Sequence, residues 1–446
     1  MSTEGIFDDR HPPARALVDD CVHCGFCLPV CPTYVLWGQE ADSPRGRIYL
    51  MRAGLEGRAQ WTDGYQRHFD TCLGCMACLT ACPSGVRYDR LIEATRPQVE
   101  RHGSRSFVDR FVRALIFALF PYPNRMRALA WPLWLYQRSG LQTLVRASGV
   151  LKLLPRQLEA MERLLPRVEI SRQSTVDGRQ LTADSRQSAG PHGLRVGMLL
   201  GCVQRVFFPR VNDATVRVLK AEGCDVRVPP DQGCCGALML HAGHDREAAA
   251  AARALIDAFD RAGVERIVVN AAGCGSAMKE YGELLRDDPA YADRARAFAA
   301  KCVDVSELLA ELEPRAPRRP LAMKVAYHDA CHLQHAQRVR EQPRRVLRTI
   351  PGLEVRDVAD ADICCGSAGI YNIVEPGPAA ELRDRKVAHL LATGADAIVS
   401  SNPGCLIQLS AGLEIAGRPM PVMHLVELLD RAITTTAESR PDRTGA

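Results

Sequence analysis

The 446-residue chain contains no run of about 18 or more apolar residues, so no membrane-spanning helix is expected. Its first 20 residues, MSTEGIFDDRHPPARALVDD, lack an apolar core segment, which argues against a signal peptide. No G-x-G-x-x-G follows a strand-like run, so no nicotinamide or flavin site is legible. Neither G-x-S-x-G nor H-E-x-x-H occurs, so no serine-hydrolase or zinc-protease site is legible either. There is no dense lysine-rich run, and the formal net charge of +5 is small for this length, so nucleic acid is not an expected partner.

What the chain has in excess is cysteine, with 18 residues. Secreted chains use many cysteines as disulfides, but such chains are usually short and carry a leader. In a reducing cytoplasm, the expected location, clustered thiols read as metal ligands or redox groups. Hydrophobic residues make up 47%, enough to build cores and to exclude wholesale disorder. At roughly 100–200 residues per domain, two to four domains are expected.

Eight cysteines fall in two identical patterns. Cys21, Cys24, Cys27 and Cys31 precede Pro32, and Cys72, Cys75, Cys78 and Cys82 precede Pro83. Both read C-x₂-C-x₂-C-x₃-C-P. A [4Fe–4S] cubane needs four soft thiolates, one for each iron. Three cysteines at two-residue gaps wrap three corners, and the fourth points toward the other cluster. One cluster is therefore expected on Cys21, Cys24, Cys27 and Cys82, and the other on Cys72, Cys75, Cys78 and Cys31. Gly25 and Gly74 allow backbone N–H groups to approach cluster sulfurs. Zinc also takes C-x₂-C pairs, but seldom a third cysteine at the same gap with a trailing Cys-Pro, twice over. The long Cys31–Cys72 interval, with a helix-like SPRGRIYLMRAGLEG, predicts a helical ferredoxin domain over 15–100, which resembles that of succinate dehydrogenase iron–sulfur subunits.

Beyond residue 193 the chain repeats itself. Cys202 answers Cys331 at an offset of 129, Cys234 answers Cys364 at 130, and Cys274 answers Cys405 at 131. Each module thus holds a single cysteine, a Cys-Cys-Gly (Cys234–Cys235, Cys364–Cys365) and a third landmark cysteine. Glycine after the pair permits a turn that brings both thiols to one site. β-Branched runs at 195–200, 266–270, 325–328 and 397–400 alternate with helical patterns at 214–222, 246–262 and 379–393. Such alternation predicts parallel sheets with crossover helices, with the first cysteine at a strand's carboxyl end. The fold class expected is therefore α+β multidomain: the helical two-cluster domain, then α/β modules at 194–312 and 323–432. Cys224 and Cys302 stand outside the repeat and read as ordinary buried thiols.

Two stretches lie between. Residues 101–165 are apolar and arginine-rich, and 107–154 suit a helical hairpin that packs on this chain or a partner. Trp131, Trp134 and Tyr136 beside basic residues also suit a membrane interface, here the cytoplasmic face of the inner membrane. Residues 166–193 are polar and read as a linker. His241, His328, His332 and His335 flank the module cysteines, where packing is the commoner role of a histidine and cofactor contact the rarer one. The arginines of 45–52 read as a solvated helix face, with pairing to an anionic partner or stabilisation of cluster charge as the other readings.

Taken in order, these features resemble the iron–sulfur subunit of bacterial glycolate oxidase. The segments CVHCGFCLPVCPTYVLWGQEADSPRGRIYLM, CPSGVRYDRL, GCCGALMLHAG, GCGSAMKEYGELL, CHLQHAQRV and CCGSAG carry the likeness, over 15–100 and 194–430. The resemblance implies FAD-containing partner subunits that oxidise glycolate to glyoxylate, and electrons passed through this chain toward membrane quinone. The modules also resemble heterodisulfide reductase and anaerobic glycerol-3-phosphate dehydrogenase subunits, and a lactate-oxidising assignment stands beside them. In the heterodisulfide reductase relative each module ends in C-x-x-C and binds an unusual cluster. Here Ala271 and Asn402 replace the first cysteine of that pair. The four remaining thiols per module could hold an additional iron–sulfur cofactor or act as a thiol–disulfide pair.

Overall fold

The structure is a computed structural model that describes residues 5–168 and 193–433. The linker expected at 166–193 lies, from 169 to 192, outside the described residues.

The N-terminal part is helical. Ser43 accepts a hydrogen bond from the Gly46 N–H, and Pro44 opens the helix Pro44–Leu55. Thr62 caps Asp63–Asp70 in the same way. With Tyr88–His102, these helices enclose a core of Ile48, Met51, Tyr65, Phe69, Leu91, Ile92 and Val99. Residues before 15 belong to this unit: the Trp61 indole donates to the Ile6 carbonyl at 2.8 Å, and Arg101 pairs with Asp8 at 2.8 Å.

The stretch expected as a hairpin folds as Phe107–Leu119, Pro123–Arg138, Leu141–Ser148 and Arg156–Arg163. Pro121 and Pro123 interrupt it first, because proline cannot continue a helix. Val112 and Ile116 pack on Ile370 and Ile373, and Met126 packs on Cys202 and Cys234. None of the described helices is long and apolar enough to cross a membrane.

Each module builds one four-stranded parallel sheet. The first contains β1 (Arg195–Met198), β2 (Asp225–Arg227), β3 (Arg266–Val269) and β4 (Cys302–Asp304), in spatial order β2-β1-β3-β4. The second contains β5 (Met323–Tyr327), β6 (Leu353–Arg356), β7 (Ala397–Ser400) and β8 (Val422–His424), in order β6-β5-β7-β8. One face of both sheets shares a core: Val196, Met198 and Val268 join Val325, Tyr327 and Val399. Bonds between the modules tie the strand ends together. Ala272 N–H donates to the Ser401 carbonyl at 3.1 Å, and His424 Nε2 to the Asn270 carbonyl at 2.9 Å. The carboxyl ends of β1, β3, β5 and β7, where such sheets place ligands, therefore open onto one place.

Candidate metal centres

The eight motif cysteines gather in two groups. Cys21, Cys24, Cys27 and Cys82 line a cavity of about 30 Å³, with Cys78 at its wall. Cys31, Cys72, Cys75 and Cys78 line a second of about 20 Å³. Each group thus contains three cysteines of one motif and the last of the other. Cys24 of the outer group is exposed, whereas all four thiols of the inner group are buried.

Burial pushes the Cys75 and Cys78 thiols well above their ordinary range. Thiolates there need positive charge. Cys72 has it: burial opposes its ionisation, but Arg47, Arg96, the Tyr88 hydroxyl and the Gly74 N–H (3.4 Å from Sγ) hold its thiol below the ordinary value. The solvated face expected for 45–52 is corrected at Arg47, which is 1% exposed. Its guanidinium reaches Thr33 Oγ1 at 3.1 Å, Thr71 Oγ1 at 3.2 Å and Asp42 at 3.6 Å. Helix Pro44–Leu55 thus buries one cation, Arg47, beside the apolar Ile48 and Met51 that it adds to the core. Small cavities walled by four sulfurs, the inner one set beside the Arg47 and Arg96 cations, fit a soft iron–sulfur group.

In the modules the thiols form rows. Cys202 lies 3.6 Å from Cys234, and Cys235 bonds both Cys234 and Cys274. Cys331 lies 3.9 Å from Cys364, and Cys365 bonds both Cys364 and Cys405. The turn after each pair depends on glycine. Gly366 has φ +85°, and a Cβ there would meet the Ala379 carbonyl oxygen at 2.5 Å. Gly236 has φ +78° and faces Ala248 in the same way. The pairs are thereby pressed against helices Pro376–Ala392 and Asp245–Ala262. Both rows border one cavity of about 450 Å³, roofed by Met126, Leu129 and Leu133 from Pro123–Arg138. Cys224 and Cys302 lie outside the rows, and the Cys302 thiol donates to the Phe298 carbonyl at 3.4 Å.

The inner group touches the second module directly. Cys75, Leu73 and Ala77 share a buried apolar cluster with Cys364, Ile363 and Tyr371, and Cys331 packs against it. Two histidines fasten the contact: His332 Nε2 donates to the Gly74 carbonyl at 2.9 Å, and His335 Nδ1 pairs with Thr80 Oγ1 at 2.7 Å. His241 stacks 4.9 Å from His332 and lies 3.6 Å from Glu93, whose carboxyl burial pushes up to about 8. His328 is 2% exposed beside Cys365 and Cys405. Arg96, Glu93 and Lys386, the last buried beside Cys364 and Cys365, carried no signal in the sequence, since each is brought to its site only by tertiary packing.

Comparison with known proteins agrees with this geometry. A 4Fe-4S dicluster domain matches residues 17–86, and a cysteine-rich domain matches 196–279 and 325–410. The linker region of the glycolate oxidase iron–sulfur subunit matches 108–165. The probable glycolate oxidase iron–sulfur subunit of Bacillus subtilis (strain 168) is 43% identical over 418 residues, covering 92% of this chain and 93% of that one. The chain belongs to the glycolate oxidase iron–sulfur subunit family. Its Escherichia coli (strain K12) relative is 39% identical over 445 residues, 97% of this chain and 99% of the relative. Lactate utilization protein A of Halalkalibacterium halodurans is 30% identical over 246 residues, 55% of this chain and all of that protein. The helix-rich N-terminal part and the two parallel sheets are thus this family's arrangement of one iron–sulfur domain and two cysteine-rich modules.

Proposed function

We propose that this chain conveys electrons from FAD-containing partner subunits, which oxidise glycolate or a related 2-hydroxy acid, toward membrane quinone. In this reading Cys21, Cys24, Cys27 and Cys82 hold one [4Fe–4S] cluster, and Cys31, Cys72, Cys75 and Cys78 the other. The cysteines of each module, Cys202, Cys234, Cys235 and Cys274 in the first and Cys331, Cys364, Cys365 and Cys405 in the second, hold additional iron–sulfur cofactor, and the units 15–100, 101–165, 194–312 and 323–432 divide these tasks. Clusters so held accept and release single electrons.

One observation carries the reading: the cysteine groups form an unbroken series from surface to cavity. The outer group opens beside exposed Val22 and Phe26 (69% and 65%), a face suited to a partner. The inner group follows, and Cys75 then shares its buried surroundings with Cys364. The series ends at the apolar cavity, whose volume falls within the roughly 300–1,000 Å³ typical of small-molecule sites. A quinone ring suits that lining. Exposed Phe107, Phe111, Trp131, Leu144 and Leu153 on the roofing segment support a peripheral contact with the inner membrane.

The test is reconstitution. Glycolate should reduce the clusters, followed by electron paramagnetic resonance, only when the flavoprotein subunits are present. Turnover of glycolate with a dye acceptor by this chain alone would overturn the proposal.

A further inference from the structure

The two thiol rows are built alike but surrounded differently. Strand β1 leads to Leu199, whose N–H bonds the Val268 carbonyl of β3 at 3.0 Å. Strand β5 leads to His328, whose N–H bonds the Val399 carbonyl of β7 at 2.8 Å. Leu199 and His328 therefore occupy the same backbone position. The same holds one helix away. Counted from Ala248 and Ala379, which face the two glycines, Leu255 and Lys386 fall at matching places. Ala271 matches Asn402, and the Asn402 amide lies 3.6 Å from Cys405 Sγ. The first row thus sits in an apolar cluster with Leu199 and Leu255. The second sits among an imidazole, an ammonium and an amide. One ring nitrogen of His328 and the sulfurs of Cys365 and Cys405 lie within 4.8 Å of one another, all fully buried. Metal–ligand bonds of about 2.0–2.3 Å to histidine nitrogen and cysteine sulfur place tetrahedral ligand atoms roughly 3.3–3.8 Å apart, which lies inside that limit.

We propose that His328 is a metal ligand, so that the second module holds iron through imidazole and thiolates while the first holds it through thiolates alone. This rests on the assignment of iron to the module cysteines. Replacing a thiolate by a neutral imidazole removes one negative charge and makes the group easier to reduce. The second row, which touches the inner motif group, then differs in potential from the first.

The experiment uses the full chain, isolated anaerobically and labelled at histidine with ¹⁵N. Iron analysis should give more than the eight atoms of two cubanes. Pulsed paramagnetic resonance of the reduced protein should show one directly coupled histidine nitrogen. His328→Ala should abolish that coupling and lower the iron content, and His328→Cys should restore the iron while shifting the signal to a more negative midpoint. The labelled wild type keeps the inference testable if the variants fail to fold. Only eight irons would overturn the module assignment and this inference together. More than eight without histidine coupling, or coupling that survives His328→Ala, would overturn this inference alone.

Discussion

Arg47 decides how charge is handled at the inner group. It is buried with Asp42, and removing one partner of such a pair costs up to roughly 3–5 kcal/mol, here reduced because Asp42 keeps His68 Nδ1 at 2.9 Å and Thr71 Oγ1 at 3.1 Å. Arg47→Met should therefore lower the denaturant midpoint markedly and release inner-group iron. Arg52→Met, at an exposed pair with Asp19 (3.1 Å), should change stability by less than about 1 kcal/mol. Glu93 gives a pH signature. Its carboxyl is held neutral to about pH 8 in the fold, against an ordinary value near 4.5. The folded state binds more protons than the unfolded chain between those values, so this group's contribution falls as pH rises across that window. The slope approaches about 1.4 kcal/mol per pH unit. Glu93→Gln should remove that part of the pH dependence, read from denaturation curves between pH 5 and pH 8. At this scale the sequence was legible where spacing is local. The two C-x₂-C-x₂-C-x₃-C-P runs declare their chemistry within twelve residues each. Arg47, Glu93 and Lys386 were illegible, because their neighbours come from distant segments.

Among elements, the turn from each Cys-Cys pair into a helix contact is the most constrained. Gly366→Ala would place a Cβ in backbone at a positive φ, so the helix Pro376–Ala392 must shift. A cost of at least about 1–3 kcal/mol is expected, with loss of iron from the second module. Gly233→Ala, one residue before the other pair and facing open space, should stay within about 0.5 kcal/mol. Calorimetry with iron analysis separates the two. The strands expected from β-branched runs, β1, β3, β5 and β7, are the central ones, apolar and buried on both faces beyond their first one or two residues. The edge strands β2, β4, β6 and β8 were not expected. Segments as short as Asp225–Arg227 and Cys302–Asp304 carry too few residues to show a period. The 107–154 stretch was legible as helical, but not as a roof over the cavity, because apolar composition does not say which surface it covers.

For the whole molecule, the order of the cysteine groups makes a directional claim. Cys75→Ser should leave the outer group reducible but slow reduction of the second module by more than tenfold in a rapid-mixing experiment, since the connecting group is lost. If the second module is reduced at an unchanged rate, the series is not the route. The modules and their repeat were legible from their cysteine landmarks, but not their facing arrangement, which comes from a core shared by two sheets.

With Cys24 exposed, the cluster proposed for the outer group is where the protein should age first. Dissolved oxygen and chelators meet the rim before they meet anything shielded by helices. Brief aeration should bleach the outermost cage while the deeper ones survive, and an air-damaged preparation would be deaf to its donor yet still respond to a small reductant that reaches the interior.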